Sequence, residues 1–157
     1  MFYRVKQFFM AVFSKLDNDD KDFINRYLDR VDLEIFEKLP THEKKHCINV
    51  ARYVLDNNSG VGDFVIRASL LHDIGKVSSG LNPIFKGIIV IMNRISNKGT
   101  RSLRFIKPIR VYYNHPEIGG KIYSNIDSSI AYIIENHHNY NIKDSTIRMI
   151  QEADSNN

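Results

Sequence analysis

Apolar residues recur at helical spacing along nearly the whole chain. Phe2, Val5, Phe9, Val12, Phe13 and Leu16 follow one another at such intervals, with Arg4, Lys6 and Gln7 between them. That pattern predicts an amphipathic helix packed on the core. "DNDD" at 17–20 offers caps for a helix through Tyr27 and Leu28. A short periodic piece from Val31 to Leu39 is closed by Pro40. Thr41 then caps a longer helix, with Cys47, Val50, Ala51, Val54 and Leu55 along one face. "DNNSGVGD" at 56–63 reads as a loop, and Phe64 to Ile74 as a central helix ended by Gly75. Residues 77–83 are loop-like, and helices are expected at about 84–95 and 101–113, separated by "SNKGT". Pro116 opens a helix to about Ser124. Asp127 or Ser128 caps another through His138, and Asp144 caps the last, through Ala153. Strand-like alternation is almost absent. The pattern predicts an all-α fold, with residues 1–40 as N-terminal helices packed on a helical domain of residues 41–157.

Composition narrows this only a little. The chain's 157 residues, 43% of them hydrophobic, suit one packed domain. A single cysteine, Cys47, excludes an internal disulfide framework and fits a reducing compartment. No apolar run approaches the roughly 20 residues of a bilayer-spanning helix. Residues 1–16 are interrupted by charge and followed by no cleavage site, so they do not read as a secretory signal. Contact of that helix with a membrane surface is the lesser alternative to core packing. A cytoplasmic protein is expected. The net charge of +4 suits an anionic partner, and no block of like charges marks a nucleic-acid tail.

The informative residues are the histidines. His137 and His138 fall at helical intervals from Ile130, Ala131, Ile133 and Ile134, which points both imidazoles inward. Asp154 stands in the same relation to Ile147 and Ile150. Asp73 follows the most apolar helix, and no buried Lys or Arg is evident beside these groups. Buried carboxylates and imidazoles without such a partner need cations, and metal ions supply them. Neighbours on a helix diverge by about 100°. His72–Asp73 and His137–His138 therefore suit two ions and a bridging carboxylate better than one ion.

"LLHDIGK" at 70–76 resembles the signature of the HD-domain metal-dependent phosphohydrolases, in the HDIG subgroup. His46 in "HCINVA", His72 and Asp73 in "HDIGK", and Asp154 in "EADS" match the order of that family's ligands. His115 in "HPEIGG" and the pair in "ENHHNY" match the additional histidines of its two-metal branch. The resemblance spans about residues 41 to 155. It departs from the cyclic di-GMP-cleaving branch, which has Glu after the His pair and a later Gly-Tyr-Pro. Here Asn139 and Tyr140 follow the pair, no such tripeptide occurs, and the stretch from Asp73 to His115 is longer, as a lid or as extra core.

The resemblance implies an HD-domain helical bundle with its metal site between core helices. Two ions, from iron, manganese, cobalt, nickel or zinc, would be held by His46, His72, Asp73, His115, His137, His138 and Asp154, with Asp73 as the bridge. Hydroxide from a metal-activated water would attack phosphorus, and Lys76 would contact the phosphate. The expected substrate is a phosphate ester or anhydride of a nucleotide or dinucleotide. A di-iron oxygenase of the same fold and a non-catalytic signalling module are the alternatives. His42, one turn before His46, reads as a surface residue or substrate contact, or less readily as a third-ion ligand. Cys47 reads as core packing and Gly119–Gly120 as a site of close helix approach, while Arg52, Arg67 and Lys121 are further cations available to a phosphate.

Overall fold

The computed structural model describes residues 15–78 and 96–157, and every regular element among them is helical. The helix expected at the N-terminus falls within residues 1–14 for most of its length, and the helix at 84–95 falls within 79–95; both lie outside the described residues. So does most of the stretch read as a lid or extra core.

Helices α1 (Asn18–Tyr27) and α2 (Arg30–Phe36) each begin with an aspartate capping box. Asp17 accepts from the Asp20 amide at 2.8 Å, and Asp29 accepts from the Asp32 amide at 2.9 Å. Helix α3 spans Thr41–Asn57, α4 Asp63–Leu71, and a short 3-10 helix Ile74–Ser78. After the undescribed stretch come α5 (Asn97–Ser102), α6 (Lys107–Tyr123), α7 (Ser128–Asn136) and α8 (Ser145–Asn156). Asp127 and Asp144 cap α7 and α8.

The periodic apolar positions converge on one core. Val50, Ala51 and Val54 of α3 meet Ile66, Leu70 and Leu71 of α4, Ile130 and Ile134 of α7, and Ile147 and Ile150 of α8. Each such Ile, Leu or Val contributes about 1.5–3 kcal/mol on burial. Ile24, Leu28, Phe36 and Leu39 belong to the same cluster, so α1 and α2 share one core with the helices that follow. Cys47 lies fully buried in it. Helix α3 packs against α4 and α8, while α6 packs against α7 and the 3-10 helix.

Several boundaries differ from the sequence expectation. Pro40, not Thr41, is the N-cap of α3; its carbonyl takes the Glu43 and Lys44 amides, and no side chain caps this end. Helix α4 stops at Leu71, ahead of the expected Ile74, and the chain turns through His72 and Asp73. "SNKGT" is no spacer, because Ser96 caps Gly99 and starts α5. The helices expected on either side of Pro116 are one helix, α6, with the proline inside it. Helix α7 ends at Asn136, before the His pair, and α8 continues to Asn156.

The three cations offered to a phosphate are engaged elsewhere. Arg67 binds Asp32 through two nitrogens at 2.6 and 3.0 Å and Asp127 at 2.6 Å, and the Tyr123 hydroxyl donates to Asp32 at 2.9 Å. This network compensates the buried Asp32 and ties α2, α4, α6 and the start of α7 together. Arg52 pairs with Asp19 at 2.7 Å, and Lys121 with Glu117 on the exposed face of α6. Gly119 lets α6 approach closely: a Cβ there would lie 2.6 Å from Cγ2 of Ile134. Among the described residues, no helix is long and apolar enough to cross a membrane.

Candidate metal centre

Five segments bring the seven ligand candidates together. His46 lies on α3, His72 and Asp73 in the turn after α4, His115 inside α6, His137 and His138 after α7, and Asp154 near the end of α8. Their donor atoms form three groups, each within 4.8 Å, that could hold a metal ion: His46–His72–Asp154, His115–His137–His138, and His72–Asp73–His137. Asp73 stands between the first two. Its Oδ2 is 3.5 Å from Nε2 of His72 and 3.7 Å from Nε2 of His46. Its Oδ1 is 3.1 Å from Nε2 of His115 and 3.8 Å from Nε2 of His137. One carboxylate thus turns one oxygen to each pair of imidazoles.

Three of the rings are oriented by the same device. The Nδ1–H of His72 donates to the Ser69 carbonyl at 2.7 Å, that of His115 to Tyr112 at 2.8 Å, and that of His137 to Ile134 at 2.6 Å. A carbonyl only accepts, so each proton sits on Nδ1 and each Nε2 faces the centre. The last carbonyls of a helix have no helical donor. Ser69 and Ile134 belong to the last turns of α4 and α7, so stopping these helices early frees the acceptors that aim the rings.

These donors fit a metal. Nε2 of His72 is buried without a hydrogen-bond partner. Nε2 of His115 and Nε2 of His137 lie 3.3 Å apart, a repulsive contact between two lone pairs unless a cation lies by them. Burial first, and neighbouring imidazoles after it, hold His72 below and His137 well below the ordinary imidazole range, which favours the neutral, ligating form. Burial, then Asp73 and Glu43, raise the Cys47 thiol well above its ordinary value, so no thiolate joins the set.

Lys76 changes the electrostatic picture read from sequence, where no buried cation was evident. It is buried, and its Nζ lies 2.5 Å from Oδ2 of Asp73 and 3.2 Å from Oε2 of Glu43. Burial opposes its charge, but Asp73 and Glu43 outweigh that and raise Lys76 above the ordinary ammonium range. Burial likewise opposes the Asp73 charge; Lys76, then His72 and His115, hold its carboxyl well below the usual range. Glu43 was missed. It is buried one helical turn before His46, and that spacing from a ligand was the available signal. His42 is also buried rather than on the surface, with Nε2 3.3 Å from Oε1 of Glu43, and it belongs to none of the three ligand groups.

The His pair departs from its expected arrangement. His137 is buried, but His138 is exposed. The two share one group rather than dividing between two: their rings lie 4.0 Å apart and both join His115, while His137 alone also joins His72 and Asp73. The 100° rule fails because α7 ends before them and they occupy a turn. Asp154 is a quarter exposed rather than fully buried, and bonds His46 at 2.9 Å. The centre therefore has a buried floor of His72, Asp73, His115 and His137 and an accessible rim of His46, Asp154 and His138.

These shifts give the metal-free protein a definite acid response. His72 and His137 are lowered in the fold and His138 is lowered to about 4, from an ordinary 6.5. Below 6.5 the unfolded chain takes up protons that the folded one refuses, so stability falls with pH. Asp73 and Asp154, lowered from 3.8, extend the loss at still lower pH. Thermal melts of metal-free protein from pH 7 to pH 4 should show a steadily falling Tm; a flat profile would contradict this assignment.

Comparison with protein-family models, curated proteins and solved structures finds no match to this chain.

Proposed function

We propose that the chain is a metal-dependent phosphohydrolase of the HD-domain type, acting on a phosphate ester or anhydride of a nucleotide or dinucleotide. The observation that carries this reading is Asp73, with one oxygen toward each imidazole pair and the Lys76 ammonium against it. His46, His72 and Asp154 would hold one ion, His115, His137 and His138 a second, and Asp73 both. Imidazole and carboxylate donors without thiolate suit iron, manganese, cobalt, nickel or zinc. When bound, such a pair acidifies water and neutralises charge on a phosphoryl group.

The chain's own residues do the rest. The buried floor excludes bulk water and strengthens each charge within it. Lys76 holds a positive charge beside Asp73, where it can meet an anionic substrate, and Glu43 gives that ammonium a second partner when Asp73 is occupied. The rim leaves one side open for the substrate to enter. The net charge of +4 favours the approach of an anion.

Protein purified without chelator and reconstituted with iron or manganese should contain about two ions per chain, as a paired centre requires. It should release phosphate from members of a nucleotide panel. A content that stays at one ion defeats the paired centre. Oxygen consumption without phosphate release would favour the oxygenase, whose donor set is the same. Loaded protein inert in both assays would favour a signalling module.

A further inference from the structure

Pro116 sits inside α6, where a proline removes one helical hydrogen bond and costs about 3 kcal/mol. The missing bond has an identifiable acceptor. The carbonyl four residues before Pro116 is that of Tyr112, which receives no amide proton from position 116. That same carbonyl accepts the Nδ1–H of His115 at 2.8 Å. His72 and His137 find their acceptors on carbonyls freed by the ends of α4 and α7. His115 stands well before the end of α6, so it has no helix terminus to use.

We infer that Pro116 is a positioning residue for the metal centre: by withholding its N–H it leaves the Tyr112 carbonyl to His115, and so keeps Nε2 of His115 as the donor atom. The inference rests on the metal-binding reading of the site. The proline does inside a helix what termination does at the other two rings. It also accounts for a helix breaker at the position following a buried imidazole that faces Asp73 at 3.1 Å.

The test restores the N–H in two ways. Pro116→Ala and Pro116→Gly both return an amide donor to Tyr112, but alanine favours a helix and glycine does not. In metal-free protein, the hydrogen-bonded Nδ1–H resonance of His115 should weaken or shift upfield in both variants. Affinity for Mn²⁺ should fall about 10–100-fold in both, the range for a lost outer partner of a ligating imidazole. Tm should hold or rise in Pro116→Ala and be lower in Pro116→Gly. Similar affinity losses with different Tm values separate the N–H from general packing. An unchanged Nδ1–H signal and unchanged Mn²⁺ affinity in folded variants overturn the proposal. So does an affinity loss that follows Tm, large in glycine and absent in alanine. If the wild-type chain binds no divalent ion, the functional reading fails, while the Nδ1–H resonance still decides the role of Pro116.

Discussion

Asp73→Ala should strip metal from both sides of the centre and abolish the hydrolysis proposed for it. No other ligand candidate is placed to replace it: its two oxygens lie 3.1–3.8 Å from the Nε2 atoms of His46, His72, His115 and His137. Without the carboxylate, two cations would face each other across neutral rings, and like charges at such range repel strongly in a buried site. Losing one charge-stabilising group typically lowers kcat by about 10²–10³-fold, and losing a shared ligand should exceed that. The fold should survive, because the buried Lys76 keeps Glu43 at 3.2 Å and is not left as an unpaired buried charge. Asp73→Asn, which keeps the shape and removes the charge, should behave like the alanine variant. Metal analysis and phosphate release measure both. Two retained ions with most of the activity would show that the bridge has been misplaced.

The fold class could be read from the chain because its signals are local. Helical periodicity and aspartate caps at 17, 127 and 144 involve residues within a turn of one another. Part of the ligand set was also nameable from pattern, since His137, His138 and Asp154 stand at helical intervals from apolar residues and Asp73 follows the most apolar helix, whereas His46 and His115 entered only through the resemblance to the HD-domain signature. What could not be read was set by tertiary packing. Helix α4 ends ahead of its expected terminus because His72 and Asp73 are used in a turn, and helical propensity at that position carries no trace of it. The same holds for α7 and the His pair, where a two-residue error in the end turned an adjacent pair into a diverging one. Lys76 illustrates a different limit. From its neighbours in sequence it is a lysine at a helix end, and its burial rests on Asp73, one turn away, together with Glu43 on another helix. Arg67 was open for the same reason: its partners Asp32 and Asp127 are 35 and 60 residues away.

Gly75→Ala should damage both stability and metal binding, from a single methyl group. A Cβ at Gly75 would lie 1.9 Å from the carbonyl oxygen of His115, 2.7 Å from its carbonyl carbon and 2.8 Å from the Gly119 amide nitrogen. All three are backbone atoms in the body of α6, so no side-chain rotation relieves the overlap. The helix must move off the 3-10 segment, which carries Lys76 and directly follows Asp73. Overpacking of this kind costs about 3 kcal/mol, which corresponds to a Tm lower by roughly 6–12 °C in a chain of this size. His115 moves with α6 and away from Oδ1 of Asp73, so Mn²⁺ content should fall by about one ion. Gly60→Ala is the matched control. Gly60 has φ 73°, which alanine resists by about 1–2 kcal/mol, but open space surrounds its Cβ position. It should lose stability and keep its metal. If Gly75→Ala melts with the wild type and binds the same metal, the close approach of α6 to the turn is not what holds the two halves of the centre together.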